Sequence, residues 1–459
     1  MLVNFSVSNF LSFNEEQTFS MVAGRVRENS DRIFRSKGLR LKKCAAVFGS
    51  NAAGKSNLIQ AIAFLQKLVT SDLPKGFSGF FFRLDEGNMH SPSTFKVQFL
   101  LGDRLFEYTL SILLYTGAIT EEQLFEITPS TMSKHIIFTR NPLDGAFIIG
   151  KVIKNEKSQE RVKLYAEDAL KETSAPFLRI MNQNKAQLYE NDPSLSVLRD
   201  IYTWFQDRLT IRFPAEAMTH YFYMNDVKTE DIAKLLNAFG TGIHDVEVVT
   251  ISLEDARTKI PEDVFNDVMQ KMEKDVAASK ADTDHDHEFT MMLYSFKRFF
   301  TFRTTDMKDM TVETFEFIHE KENVLFELKE ESDGTARLLE LLEILMTPDD
   351  DSIYLIDELD RCLNPLITRE FVRRYLNLAS KRQTQLIFST NESTLLNAGL
   401  LRNDEIEFVS KNSHGESKIQ SLDTMRLRSD RNLFQAYFQG NEFNEYRLFT
   451  KKTQQFVSP

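Results

Sequence analysis

The chain has 459 residues, 42% of them hydrophobic and 27% charged, the balance of an ordinary globular protein. Its formal net charge of −11 excludes a global electrostatic pull toward nucleic acid or an acidic membrane surface, leaving only a local basic stripe for such a partner. Two cysteines, Cys44 and Cys362, exclude a disulfide framework and suit a reducing compartment.

The length allows roughly two or three structural units. The start Met1-Leu2-Val3-Asn4-Phe5 has no basic segment followed by a long apolar core, so no secretory leader is expected. No run approaches the ~18 unbroken apolar residues of a membrane span. The expected location is therefore cytoplasmic, with no membrane partner. The 39 phenylalanines read as core filling.

Along the chain, the first strong signal is a strand, a glycine loop and a helix in immediate succession. Cys44-Ala45-Ala46-Val47-Phe48 reads as a short buried strand, and residues 57–65 have helical apolar spacing. Between them Gly49-Ser50-Asn51-Ala52-Ala53-Gly54-Lys55-Ser56 fits the phosphate-loop pattern G-x-x-x-x-G-K-[ST] in full. The glycines let successive backbone N–H groups face phosphate oxygens, and the helix N-terminus adds a favourable dipole. Lys55 is the group that reaches the outer phosphates, Ser56 is a Mg²⁺ ligand, and Asn57 joins them at the helix start.

Residues 116–305 carry no nucleotide motif and read as mostly helical. Asp192-Pro193 reads as a cap and a first-turn proline, followed by Leu195, Leu198, Ile201, Tyr202, Phe205 and Leu209 on one side. Thr229 reads as the cap of a helix that Gly240 closes. Past Pro261, Val264, Phe265, Val268, Met269 and Met272 form one apolar stripe. These stripes are too short for a long coiled coil and read as core, and the lone Trp204 reads as core or an interface anchor. Asp282-Thr283-Asp284-His285-Asp286-His287-Glu288 invites a metal reading. Side chains on an extended run alternate in direction, however, and a solvated loop is the expectation there.

A second constellation follows some 300 residues after Lys55. Ser332 and Gly334 precede a leucine-rich helical run from Ala336 to Met346, so a small residue and a glycine stand at a helix start, a second anion site. Ser352-Ile353-Tyr354-Leu355-Ile356 is an apolar strand ending in Asp357 and Glu358. Asp357 suits the oxygen shell of Mg²⁺, and Glu358 is placed to act as general base on an attacking water. Leu363-Asn364-Pro365 reads as a loop turning into a helix, and Gln385-Leu386-Ile387-Phe388 as a further strand ending in Ser389-Thr390-Asn391.

Phosphate loop, long insertion, Ser-x-Gly signature, Walker B strand, D-loop and switch strand, in that order, resemble an ABC-type ATPase head. The likeness is greatest to the group holding the SMC, RecF and overcoming-lysogenisation-defect ATPases. Asn9-Phe10-Leu11-Ser12-Phe13 looks like that group's opening strand, residues 331–335 like its signature, and Asp357-Glu358-Leu359-Asp360 with Leu363-Asn364-Pro365 like its Walker B and D-loop. The resemblance implies an α/β fold, an ABC-type ATPase head split by a mainly helical insertion. The lobes expected are 1–115 and 306–425, with the insertion at 116–305 and a tail at 426–459. It further implies ATP and Mg²⁺ as cofactors and dimerisation, Ser332 and Gly334 serving the ATP of a second subunit. Asn391 stands where the group usually has histidine and Asn364 replaces the D-loop histidine; asparagine carries no proton, which implies slow turnover. No glutamine takes the Q-loop place; Phe82-Arg83 marks the nearest region.

Only about 70 residues follow the switch strand, so a fused nuclease domain is not expected. The chain thus resembles the stand-alone ATPases of bacterial anti-phage systems of the PARIS or Septu type, in which a separate nuclease or toxin is the effector. The alternative is a DNA-transacting ATPase of RecF or SMC character, for which Arg361, Arg369, Arg373, Arg374, Lys381 and Arg382 around one helix are the recommendation. A transporter-type head is disfavoured by the signature and the large insertion.

Overall fold

The computed structural model describes residues 1–26, 28–214, 228–280, 288–295, 298–319, 324–347, 351–396 and 399–425. The tail 426–459 and residues 282–287 of the acidic and histidine run lie outside the described residues. The chain divides into two units, one of Met1–Phe213, Asp349–Leu359 and Leu376–Pro459, the other of Pro214–Pro348 and Asp360–Tyr375.

The first unit holds two large sheets. One is antiparallel and seven-stranded, in the order Ala146–Ile149, Ser133–Asn141, Ala118–Thr128, Arg104–Leu113, Ser93–Leu101, Leu2–Ser8 and Gln17–Ser20. Alternation builds it: Phe95, Val97 and Phe99 are buried while Thr94, Lys96 and Gln98 are partly exposed. The other has six strands, in the order Leu209–Arg212, Ile353–Ile356, Gln385–Ser389, Cys44–Phe48, Ile406–Lys411 and Ser417–Ser421. Its first five strands run parallel. Every residue of Cys44–Phe48, Ile353–Ile356 and Gln385–Ser389 is buried, as befits parallel strands covered on both faces. The helix Lys55–Thr70 joins the two sheets in one core, with Phe64 5.3 Å from both Phe10 and Phe95, and Leu58 and Ile59 clustered with Ala45, Val47, Leu355 and Ile387. Trp204 is core as well, stacked on Phe99 at 4.1 Å.

The first lobe runs past residue 115. The strands Ala118–Thr128, Ser133–Asn141 and Ala146–Ile149 extend the antiparallel sheet instead of opening a helical insertion. Glu121, Glu122 and Glu126 gave this stretch a poor strand composition. Glu122 is nonetheless fully buried, because its carboxylate accepts from Tyr108 Oη (2.9 Å), Arg140 Nη1 (3.1 Å) and the backbone N–H groups of Phe177 (2.6 Å) and Leu178 (3.0 Å). Arg140, equally buried, also donates to the carbonyls of Ala175 (2.9 Å), Ala169 and Glu172. Asp192 stands at the N-cap of the single turn Pro193–Leu195 that runs straight into the helix Ser196–Thr203, and its carboxylate accepts from the hydroxyls of Ser158 (2.8 Å) and Ser194 (2.6 Å). The apolar side foreseen there is buried at Leu195, Leu198, Ile201, Phe205 and Leu209.

A buried ionic cluster closes the far end of the parallel sheet. Lys42 Nζ donates to Glu407 Oε1 (2.7 Å) and the Asp404 carbonyl (2.6 Å), and Arg402 clasps both oxygens of Asp404 at 2.8 Å. Glu405 lies within it, accepting from the Arg402 N–H at 2.9 Å, and burial pushes its carboxyl up to about 7. A carboxyl raised on folding binds its proton more tightly in the native state. That contribution is complete below the ordinary value of 4.5 and is lost as pH climbs through 7. Glu405→Gln is expected to remove about 2 to 3 kcal/mol of the fall in stability between pH 5 and pH 8. Urea unfolding at the two pH values measures it, and an unchanged pH slope would contradict the assignment.

The second unit is built on an antiparallel sheet ordered Ile243–Ile251, Met310–His319, Arg298–Thr304 and Phe289–Ser295, with Leu325–Glu327 paired to Met310–His319. The helix Glu262–Lys280 buries Phe265, Val268 and Met272 against Phe300, Phe302 and Val312, as its stripe foretold. The helix Thr229–Ala238 starts one residue earlier than foreseen, Lys228 holding the cap position, and Gly240 follows it at φ +76°. The segment expected to be mainly helical thus carries strands too. In Ile243–Ile251 only Ile243 and Val246 are buried, so no period of two marks it in the sequence.

Candidate functional site

The loop 49–54 leaves the buried strand Cys44–Phe48 and turns into the helix Lys55–Thr70 through backbone that only glycine holds easily. Gly49 has φ +156° and Gly54 φ +114°; a Cβ would stand 2.2 Å from the Val409 carbonyl at the first and 2.3 Å from Ser417 Oγ at the second. Asn51 and Ala52 are exposed at the crest, and Ser50 is half-buried. Ala53 is buried, its carbonyl 2.5 Å from Ser417 Oγ.

Lys55 is 7% exposed. Its ammonium donates to the carbonyls of Gly49 (2.6 Å) and Ser50 (3.1 Å) and to Asn391 Oδ1 (2.9 Å). Ser56 Oγ donates to Asp357 Oδ1 at 3.1 Å. Sequence positions 301 residues apart are thus joined by one hydrogen bond, which brings the two halves of the foreseen site together within the first unit. Asp357 is buried and Glu358, next to it, is half-buried with φ +50°. Asn57 turns its amide to Ser12 Oγ (2.7 Å), and Ser12 Oγ in turn lies 2.6 Å from Ser417 Oγ.

Sequence reading gave no role in the site to Ser12, Ser417 or Ser389. Ser12 and Ser417 fasten the loop from beneath, through contacts that span up to 405 positions and leave no local signature. Ser389 lies between the two motifs, on the strand that separates Cys44–Phe48 from Ile353–Ile356. Its hydroxyl donates to Asp357 Oδ1 at 2.5 Å and accepts from the Glu358 N–H at 2.8 Å.

Ser332 and Gly334 belong to the second unit, at the start of the helix Asp333–Met346. Ser332 is its N-cap, Oγ accepting from the Thr335 N–H at 3.0 Å. A Cβ on Gly334 would stand 2.8 Å from the Cys362 carbonyl, so the D-loop segment and the signature turn pack closely within that unit. Cys362 is exposed and Cys44 buried, both free thiols, and burial pushes the Cys44 thiol well above its ordinary value.

The donor set fits a nucleotide phosphate and Mg²⁺. An ammonium directed at three oxygens is the hydrogen-bonding chemistry an oxyanion takes, and a hydroxyl beside a carboxylate is an oxygen pair for a hard cation. Among the described residues no group of three or more His, Cys, Asp or Glu side chains is gathered for a metal. No helix among the described residues is long and apolar enough to cross a membrane.

A parallel sheet with a phosphate loop on one strand and an Asp-Glu end on the next but one defines a P-loop ATPase. The chain belongs to the family described as "AAA domain, putative AbiEii toxin, Type IV TA system", whose model matches residues 44–397. Among solved structures it is similar to an SMC head bound to the C-terminal winged-helix domain of ScpA, at 12% identity and TM-score 0.40, over 92% of this chain and 97% of that one. A second is the Smc head with an extended coiled coil bound to the C-terminal domain of ScpA, derived from Pyrococcus furiosus, at 16% identity and TM-score 0.39, over 92% and 96%. A third is the SMC head domain from Thermotoga maritima, at 14% identity and TM-score 0.35, over 92% and 98%. No curated protein matches the chain.

Proposed function

We propose that this chain is a cytoplasmic ATP-binding and ATP-hydrolysing regulatory ATPase that pairs through its heads and controls a separate nuclease or toxin in anti-phage defence. The observation that carries the ATPase reading is the junction of Lys55 with Asn391 and of Ser56 with Asp357, at 2.9 and 3.1 Å. In this reading residues 49–57 receive the phosphates, with Lys55 exchanging its present oxygen partners for theirs. Ser56 and Asp357 hold Mg²⁺, which supplies positive charge to the phosphate oxygens. Glu358 takes the proton of the attacking water, and Asn391 orients by hydrogen bonding without carrying a proton. Lacking that proton carrier, the head turns over slowly and works as a switch set by ATP.

Ser332 and Gly334 present the N-terminus of the helix Asp333–Met346 to the nucleotide of a second copy. The toxin part of the reading is supported by the description of the family, which names a toxin and a toxin–antitoxin system. The DNA-transacting alternative loses ground at its own basic set. Arg373 and Arg374 both pair with Glu370 at 2.6 Å and hold its carboxyl down at about 2, so one of these two positive charges is already answered on the helix surface.

Light scattering of the Glu358→Gln chain tests the pairing. The mass is expected to double on adding ATP and Mg²⁺ and to return to that of one chain when Lys55→Ala is combined with it. One mass under every condition would refute the head-to-head pairing.

A further inference from the structure

We infer that Ser389 is the positioning residue that sets both carboxylates of the site, fixing Asp357 through its hydroxyl and the backbone of Glu358 through its hydroxyl and carbonyl together. The inference rests on the ATPase reading of the same site and adds to it a role for a residue outside the phosphate loop and the Asp-Glu pair.

Three hydrogen bonds from one side chain and its own backbone meet here. Ser389 is 0% exposed, so water does not compete for them. Its Oγ donates to Asp357 Oδ1 at 2.5 Å while accepting from the Glu358 N–H at 2.8 Å, and its carbonyl accepts from the Leu359 N–H at 3.0 Å. Glu358 sits at φ +50°, the left-handed region that a residue with a Cβ enters only when its surroundings hold it there. Ser389 provides that hold on both sides of the Glu358 residue. Asp357 Oδ1 receives the hydroxyls of both Ser56 and Ser389, so the carboxylate is pinned between the phosphate-loop helix and the strand Gln385–Ser389. A hydroxyl is the one small group that donates and accepts at once, and both halves are used. Alanine would leave the Asp357 carboxylate held by Ser56 alone and the Glu358 N–H without this acceptor. The geometry therefore makes serine, or threonine as its hydroxyl homologue, the requirement at this position.

The test compares the full chain carrying Ser389→Ala or Ser389→Thr with the wild type. Without nucleotide, hydrogen exchange of the amides in residues 356–359 is expected to be about tenfold faster in the alanine variant, the loss of one hydrogen bond. The Mg²⁺ concentration for half-maximal ATP turnover is expected to rise about 10- to 100-fold, with kcat falling by a similar factor. ATP binding in EDTA is expected to stay within about twofold, since the phosphate loop is untouched. Threonine is expected to restore all three readouts. Exchange and Mg²⁺ dependence unchanged in the alanine variant would overturn the proposal, as would equal damage from alanine and threonine, which would make Ser389 a packing residue. A wild type that binds no ATP would sink the ATPase reading instead, while the exchange measurement would still decide the role of Ser389.

Discussion

Glu358→Gln is expected to cut ATP turnover by about 10²- to 10⁴-fold while leaving nucleotide binding near that of the wild type, the range associated with loss of a positioned general base. Glutamine matches glutamate in size and reach, but it cannot accept the proton of an attacking water. The backbone at Glu358 departs from the strand at φ +50° directly after the buried Asp357. Asp357 accepts from Ser56 Oγ, while Glu358 is half-buried. Phosphate release measured beside fluorescent-ATP titration separates the two effects. Lys55→Ala should lose the nucleotide itself, so the pair of variants divides binding from hydrolysis. Turnover within a few-fold of wild type in the glutamine variant would assign the base elsewhere.

Arg140→Ala is expected to destabilise the first unit by about 3 to 5 kcal/mol, the cost of leaving a buried charge without its partner. Arg140 and Glu122 are both fully buried, so bulk solvent does not reach the carboxylate to replace the lost guanidinium. The damage extends beyond the pair. Glu122 also holds the N–H groups that open the helix Phe177–Asn182, and Arg140 ties three carbonyls between Ala169 and Ala175. A shift of the urea midpoint with unchanged m-value would report it. A companion Glu122→Gln, Arg140→Met variant, in which the buried charges leave together, is expected to recover part of the loss; a loss equal to or greater than that of Arg140→Ala would contradict the charge argument.

What was legible in the chain was whatever announced itself locally. The loop 49–56 carries its own spacing, and the strand before Asp357 is apolar at every position from Ile353 to Ile356. Both could be placed without knowing their neighbours, and the helix stripe of Phe265, Val268 and Met272 was readable in the same way. The strands between Ala118 and Ile149 were hidden because a buried ion pair stands where an apolar residue would have marked the sheet face. The strand Ile243–Ile251 was hidden for the opposite reason, having almost no buried face to display. Ser12 and Ser389 stood in quoted segments without a role of their own, and no spacing rule links Ser417 to Ser12 across 405 positions. Asp192 holds the cap position that its sequence context suits, with two nearby hydroxyls satisfying its carboxylate.

The phosphate-loop strand Cys44–Phe48 pairs on one side with Gln385–Ser389 and on the other with Ile406–Lys411. Both neighbours leave the ribosome more than 330 residues after it. At the ~5–20 residues per second of synthesis, the strand waits roughly 20 to 70 s before either edge can be covered. Throughout that interval its apolar edges are exposed to chaperones, and the loop that follows it has no Asp357, Ser389 or Asn391 to meet. A chain terminated before Asp357 therefore carries the most recognisable motif of the protein without the partners it meets in the fold.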